Sequence, residues 1–171
     1  SNIYLMSPDG KDTLCITSDG KSSEAHWSAD GKSVFFTSSA SGTEQLYRYS
    51  IAERKVEKLT NYRLGISAPV FAPDCKKIVF AAQVWPEAGA DDSLNVKLNK
   101  QKADGTVQAH YADALLFRHW TSYRDGQYEH LIVYDLDRKT YRDVTPGRFD
   151  SPVFSLGGES GVTFSPDGKE L

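Results

Sequence analysis

Cysteine is scarce in this chain, which contains only Cys15 and Cys75 among its 171 residues. Two cysteines do not make the disulfide framework of a small secreted domain, and they lack the spacing of metal-binding thiols. We therefore expect both to be unpaired structural thiols. The histidines are also too far apart for a metal-ligand pattern: they are His26, His110, His119 and His130. We expect no metal and no cofactor.

Long apolar runs and an excess of basic charge are missing as well. No stretch approaches the roughly 18 apolar residues of a membrane span, and no basic, apolar leader opens the sequence. The net charge is −3 and the basic residues are scattered. Because neutralising phosphates requires a concentrated basic face, we expect neither a nucleic-acid partner nor a membrane span. The composition is that of an ordinary soluble domain.

One short motif is present three times. Each copy has an aromatic residue, a small residue, Ala or Pro, then Asp, with Lys close behind. The copies are AHWSADGKSVFFTS (25–38), APVFAPDCKKIVFAA (68–82) and VTFSPDGKEL (162–171). Asp30 and Asp74 are 44 residues apart, and Asp167 follows after a further 93. A period of about 44 to 47 residues, with one long repeat, is typical of β-propeller blades.

Four β-strands fit within the first period. They are SEAHWS, SVFFTS, EQLYRYSI and KVEKLT, and the first two are joined by an Asp-Gly turn that suits a tight hairpin. The fourth strand recurs as TLCIT (13–17) and YRDVT (141–145). We therefore predict an all-β fold of four-stranded antiparallel blades. The alternative is a β-sandwich in which the Asp-Gly turns are coincidental.

The predicted order is about half a blade, two full blades and the start of another. The blades end near residues 20, 62 and 147, and residues 1–171 make a fragment of one propeller domain. Blades stabilise their neighbours, and an isolated set leaves open strand edges. We expect this chain to belong to a larger propeller, or to self-associate through its open edges.

A long insertion interrupts the second blade. The connection between its second and third strands spans 45 residues (85–129). Connections of that length are usually functional or disordered, and this one is too aromatic for disorder. Residues 93–102 suit either a strand or a helix, whereas 104–117 have helical spacing. We predict a mixed insertion with one short helix.

A second connection is also long. From the closing Thr145 to Asp167 there are 22 residues, where the other repeats need 13 or 14. In an antiparallel blade, the connection from strand two to strand three and the one from strand four to the next blade emerge on the same face. Both long connections therefore predict function on one face of the propeller.

No catalytic centre is visible in the sequence. GGESG (157–161) lacks the second Gly of a nucleophile elbow, because position 162 is Val. The candidate ligand contacts lie at the end of the insertion, where Arg118 offers a forked donor and Trp120 a flat contact surface. The alternative is that Phe117 and Trp120 only fasten the insertion to the propeller. The candidate site residues are Arg118, His119, Trp120 and Tyr123.

The repeats WSADGK and FSPDGK resemble those of TolB-type and prolyl-oligopeptidase-type propellers. A combination of four segments points to a more specific group of proteins: LLFRHW, DGQYEHLIVYDL, DVTPGRFDSPVFSLGG and VTFSPDGKEL. It resembles the propeller of the dipeptidyl-peptidase and acylaminoacyl-peptidase branch of the prolyl oligopeptidase family. The family often has an acidic residue after the Trp, where this chain has Thr121, which weakens transfer of an amine-binding role.

The resemblance implies a serine exopeptidase whose propeller filters peptide substrates into a chamber beneath it. The catalytic Ser, Asp and His would then belong to an α/β-hydrolase domain of the same parent chain, beyond Leu171. It also implies export to the periplasm or secretion, with the cytoplasm as the alternative. The competing function is a non-enzymatic TolB-like scaffold that binds a protein partner.

Overall fold

The computed structural model describes residues 1–107, 109–110, 118–119, 122–123, 125–151 and 161–171, with only the backbone at 118, 119 and 122. The strands are β1 (Tyr4–Met6), β2 (Thr13–Cys15), β3 (Ser22–Trp27), β4 (Ser33–Ser38), β5 (Gln45–Ser50), β6 (Lys55–Lys58), β7 (Ser67–Phe71), β8 (Lys77–Val84), β9 (Arg118–His119), β10 (Ser122–Tyr123), β11 (Tyr128–Asp135) and β12 (Thr140–Asp143). In this part of the chain one helix, α1 (Asp92–Ala103), is described between β8 and β9. Within the described ranges, no helix is long and apolar enough to cross a membrane.

Two four-stranded antiparallel sheets form the body of the fold. The first has the order β3-β4-β5-β6 and the second β7-β8-β11-β12, while β1 and β2 form a separate hairpin. Each strand of the first sheet pairs with the next strand along the chain. The prediction of four-stranded blades preceded by a half-blade is therefore confirmed.

The Asp-Gly motif forms a closed turn at the β3–β4 hairpin. Ser28 Oγ donates to Asp30 Oδ1 at 2.7 Å, and the Lys32 amide donates to the same oxygen at 3.0 Å. The Ser28 hydroxyl, followed by the Lys32 amide, lowers the pKa of Asp30. Gly31 supplies the required positive φ of 67°. In the β7–β8 turn Cys75 takes this role instead, at φ 55°.

The core lies between stacked sheets, and the alternation along β4 shows how it forms. Val34 and Phe36 pack toward the β1–β2 hairpin, whereas Phe35 belongs to the larger core shared with the second sheet. Successive side chains on a strand point to opposite faces, so an apolar run such as VFF is buried on both. Sheets that are covered on both faces are what a propeller requires.

Contacts between the two sheets use polar groups as well as apolar packing. The Tyr134 hydroxyl donates to the Leu59 carbonyl at 3.1 Å, and the rings of His26 and Phe71 stack at 4.6 Å. The Cys75 side chain is buried at this boundary, 3.8 Å from the Trp27 carbonyl. Both cysteines are free thiols, although Cys15 is exposed.

The insertion differs from its predicted limits. Tyr128 and Glu129 already pair with Val84 and Gln83, so β11 begins two residues earlier than the prediction and the connection spans residues 85–127. The helix is formed by Asp92–Ala103, so residues 93–102, for which the sequence left a strand or a helix open, are helical. The helical spacing of 104–117 produces no helix at 104–107 or 109–110, and the rest of that segment lies outside the described residues.

Candidate functional site

The two long connections meet at one end of the second sheet. The Ser151 amide donates to the Glu129 carbonyl at 2.7 Å, and the Glu129 amide donates to Asp150 Oδ1 at 3.0 Å. Glu129 is where the insertion returns to β11, and residues 147–151 begin the second long connection. Burial, followed by the nearby Asp150 carboxylate, raises the pKa of Glu129. The structure thus brings both connections to the same face.

A buried histidine anchors this junction. His130 is completely buried, with Nδ1 2.7 Å from Asp143 Oδ2 and Nε2 2.9 Å from the Gly147 carbonyl oxygen. A carbonyl only accepts, so Nε2 donates to it. The second oxygen of Asp143 accepts from the Thr145 amide at 2.9 Å. His130 thereby ties β11 to β12 and to the segment that leaves the sheet.

Comparison of the repeats shows that this anchor is structural. In each of the three repeats a closing threonine hydroxyl accepts an amide at or near the start of the third strand at 2.9 Å. The pairs are Ile3 with Thr17, Leu46 with Thr60, and Leu131 with Thr145. This explains why Thr ends the fourth strand of every repeat in the sequence.

The residue before each of those amides holds the departing chain. Asn2 Oδ1 accepts from the Gly20 amide at 2.7 Å, and Gln45 Nε2 donates to the Tyr62 carbonyl at 2.7 Å. His130 occupies the same place in the third repeat, with Gly147 as its partner. Asn, Gln and His share the ability to bond a backbone group, so His130 has a role in the fold rather than in catalysis.

Helix α1 is held firmly to the second sheet. Asp91 caps its start by accepting the Leu94 amide at 2.9 Å. Asn95 is fully buried, accepts the Trp85 amide at 2.7 Å and donates to the Gly89 carbonyl at 2.9 Å. These bonds provide partners for the backbone amide of Trp85 and the backbone carbonyl of Gly89, where the chain leaves β8. They explain why a largely hydrophilic segment forms a helix that packs against this part of the chain.

A pocket lies between the end of α1 and the later part of the insertion. Its volume is about 350 Å³, and its lining includes Asn99, Lys102, His110, Tyr123 and Asp125. The His110 ring stacks on the Tyr123 ring with 3.7 Å between centroids and 6° between planes. His110 Nδ1 lies 2.8 Å from one Asp125 carboxylate oxygen and 3.0 Å from the other.

The Asp125 carboxylate contacts both basic side chains of this pocket. Lys102 Nζ lies 2.9 Å from its carboxylate and also donates to its backbone carbonyl at 3.0 Å. Burial alone would raise the pKa of Asp125, but the His110 and Lys102 hydrogen bonds outweigh it and lower the pKa. Asp125 therefore carries its charge as the shared partner of two basic side chains.

The indole of Trp85 contacts two residues of the pocket lining, Asn99 and Lys102. Trp85 Nε1 donates to Asn99 Oδ1 at 2.7 Å, and Lys102 Nζ lies 5.7 Å from the ring centroid. The adjacent turn approaches closely, since a Cβ at Gly126 would lie 2.7 Å from the Trp85 ring. Positive φ and this close approach both require glycine there.

The residues expected from the sequence are only partly described. Arg118 and His119 form β9, which pairs with β10 so that Arg118 lies opposite Tyr123 and His119 opposite Ser122. The side chains of Arg118 and His119, and all of Trp120, lie outside the described residues. Tyr123 is half exposed and lines the pocket.

Sequence reasoning missed the partners of Tyr123. His110 and Asp125 are separated by 15 residues, and Lys102 precedes both on a different element. No spacing rule links such positions, because the insertion brings them together only when it folds. Among the described residues, no three His, Cys, Asp or Glu side chains come together as metal ligands.

Comparisons with known proteins support the fold. The TolB structure from Acinetobacter baumannii aligns with 98% of this chain and 30% of its own, at a TM-score of 0.57 and 20% identity. Pyrococcus horikoshii acylaminoacyl peptidase aligns with 84% of this chain and 20% of its own, at a TM-score of 0.57 and 12% identity. The fold is a partial β-propeller. No protein-family profile matches the chain.

The curated sequences that match include a peptidase and TolB proteins. The chain is 25% identical over 173 aligned positions to the uncharacterized peptidase YuxL of Bacillus subtilis, covering all of this chain and 24% of that protein. It is 33% identical over 96 positions to the Tol-Pal system protein TolB of Francisella tularensis, covering 55% of this chain and 21% of that protein. The chain thus spans about a quarter of the length of these relatives.

Proposed function

We propose that this chain is a segment of the propeller of a serine peptidase, with its insertion-bearing face turned toward peptide substrate. The observation that carries this proposal is the convergence of both long connections at one end of the second sheet, through the bonds between Glu129 and residues 150 and 151. Similarity to the peptidase YuxL along the whole chain supports it.

In this proposal the insertion contacts the peptide. Arg118 would bond a carboxylate or carbonyl through its guanidinium, while Trp120 and Tyr123 would supply flat contact area. The cross-strand pairing of Arg118 with Tyr123 supports a joint role for these two positions. His119 is the fourth proposed contact, on the same short strand as Arg118.

The chemistry would be supplied elsewhere in the parent protein. An α/β-hydrolase domain would carry the Ser, Asp and His, and the propeller would restrict which peptides reach them. The proposed activity is release of dipeptides or acylated amino acids, in the periplasm or outside the cell.

Steady-state hydrolysis by the full-length protein tests the proposal. The substrates are dipeptidyl and acetyl-aminoacyl p-nitroanilides, compared between wild type, R118A and W120A. We expect each substitution to lower kcat/KM at least fivefold with an unchanged melting curve. R138A is the matched control, because Arg138 is an exposed arginine in the β11–β12 hairpin at the opposite end of the sheet. Unchanged kcat/KM in R118A and W120A would remove both residues from the site.

A TolB-like scaffold is the second candidate, and the 33% identity over 96 positions favours it. Such a protein would bind a protein partner without hydrolysing peptides. The coding sequence beyond residue 171 separates the two functions. A hydrolase domain with G-x-S-x-G supports the peptidase, whereas further repeats followed by a stop codon support the scaffold.

A further inference from the structure

The pocket at the end of α1 is rich in hydrogen-bond donors. Asn99 uses its Oδ1 for the Trp85 indole, which leaves the two amide hydrogens of Nδ2. Lys102 directs two hydrogen bonds to Asp125, one to the carboxylate and one to the backbone carbonyl. An ammonium has three hydrogens, so one hydrogen of Lys102 has no acceptor among the described residues and is available to a ligand.

His110 adds a further oriented group. Its Nδ1 faces both oxygens of the Asp125 carboxylate, which makes Nδ1 the donor and leaves Nε2 as the nitrogen available to a ligand. Stacking on Tyr123 restrains the plane of the imidazole. When protonated, the ring presents an N–H at Nε2 and adds positive charge to the pocket.

The one carboxylate of the described lining already has its partners. Asp125 is the carboxylate among the described lining residues, and both of its oxygens face His110 while one also binds Lys102. An incoming group therefore meets the remaining hydrogens of Asn99 and Lys102 rather than an unpaired carboxylate. A ligand carboxylate matches this arrangement, because charge-assisted bonds to Lys and His are stronger than neutral ones.

We propose that this pocket, through Asn99, Lys102 and His110, binds a carboxylate of the peptide that approaches the insertion-bearing face. This inference rests on the proposed peptide-binding function of that face. The volume of about 350 Å³ is at the small end of the roughly 300 to 1,000 Å³ of ligand pockets. It suits the end of a peptide or one acidic side chain rather than a long segment.

Binding of short peptides to the full-length protein tests the pocket. The protein is first treated with a serine-directed fluorophosphonate so that the probes stay intact. Three N-terminally fluorescein-labelled probes are compared by anisotropy: Ala-Ala-Ala with a free C-terminal carboxylate, its C-terminal amide, and Ala-Ala-Asp as the C-terminal amide. We expect the free acid to bind at least tenfold more tightly than the plain amide.

The third probe identifies the source of the carboxylate. Tight binding by the free acid alone assigns the pocket to a peptide C-terminus. Tight binding by the aspartyl amide as well assigns it to any accessible carboxylate. Equal affinity for all three probes, or no binding by any of them, would overturn the proposal.

Substitutions locate the effect in the pocket. K102M and H110Q should each lower the affinity ratio of free acid to amide at least fivefold. K100M is the matched control, since Lys100 is an exposed lysine of the same helix that is not part of the lining. An unchanged ratio in K102M and H110Q rejects the pocket even when the wild type prefers the free acid. If one variant unfolds, the affinity ratio of free acid to amide in the wild type and in the other variant still tests the pocket.

Hydrolysis measured on the untreated protein separates this inference from the proposed function. Peptidase activity without any carboxylate preference rejects the pocket alone. Carboxylate preference without hydrolysis rejects the peptidase and retains the pocket as a peptide-binding site.

Discussion

Replacing Asp143 with Asn should loosen the segment that leaves the second sheet. Asp143 accepts from His130 through one oxygen and from the Thr145 amide through the other. In D143N the negative charge is lost, and only one oxygen remains to accept hydrogen bonds at this position. Hydrogen bonds to charged groups contribute about 1.5 to 3 kcal/mol. His130 is fully buried, so we expect the loss to lie within that range.

Hydrogen exchange measured by mass spectrometry reports this local change directly. The useful amides are those of Val144, bonded to Leu131, and Ser151, bonded to Glu129. Because about 1.4 kcal/mol corresponds to a tenfold change in an equilibrium constant, exchange in peptides covering 144–151 should accelerate about 10- to 100-fold. Strands β3 to β6 should be unaffected.

Two further variants make the prediction sharp. D137N removes an exposed carboxylate, 71% accessible, from the adjacent turn and should leave exchange in 144–151 unchanged. H130Q should accelerate exchange in 144–151 less than H130A does, because Gln45 already makes the equivalent bond in the first sheet. If D143N behaves like D137N, or H130Q like H130A, the role assigned to His130 is wrong.

Three other perturbations follow from individual contacts. Y62F should stabilise the protein by about 1 kcal/mol in a denaturant melt, because the buried Tyr62 hydroxyl has no hydrogen-bond partner in the described part of the chain; a comparable loss would contradict this. Carbon-13 titration should show the Asp30 pKa below its ordinary value, and S28A should raise it. Because the pKa of Asp30 is lower in the folded state, its ionised carboxylate stabilises the fold at neutral pH. That stabilisation is lost as the pH falls through the lowered pKa. G126A should destabilise the insertion by at least about 1 kcal/mol, seen as faster exchange around Trp85, because its Cβ would meet the indole.

Local patterns in the sequence are sufficient for the regular part of the fold. The SVFFTS strand and its Asp-Gly turn are determined by neighbours within a few residues, through alternation and the positive φ of Gly31. The spacing of Asp30 and Asp74 then shows that the pattern repeats. The strand order of an antiparallel blade is also enough to place both long connections at one end of the sheet.

The insertion could not be predicted in the same way. Helix α1 has no clear apolar face, and its position depends on the burial of Asn95 against the chain leaving β8. Helical spacing in the sequence is clearer at 104–107 and beyond than at 92–103, yet α1 ends at Ala103. Hydrogen bonds of the buried Asn95 to the turn that precedes the helix outweigh apolar periodicity here.

What the sequence by itself determined about this protein is the repeating blade, because each strand and turn depends on residues close to it in the chain. Only the tertiary structure decided the role of His130 and the assembly of His110, Lys102 and Asp125 into one pocket. Hydrogen bonds between such residues require the chain to bring them within about 3 Å. For His130 that proximity arises from the pairing of β11 with β12, and for the pocket from the folding of the insertion on itself, for which no spacing in the sequence is a guide.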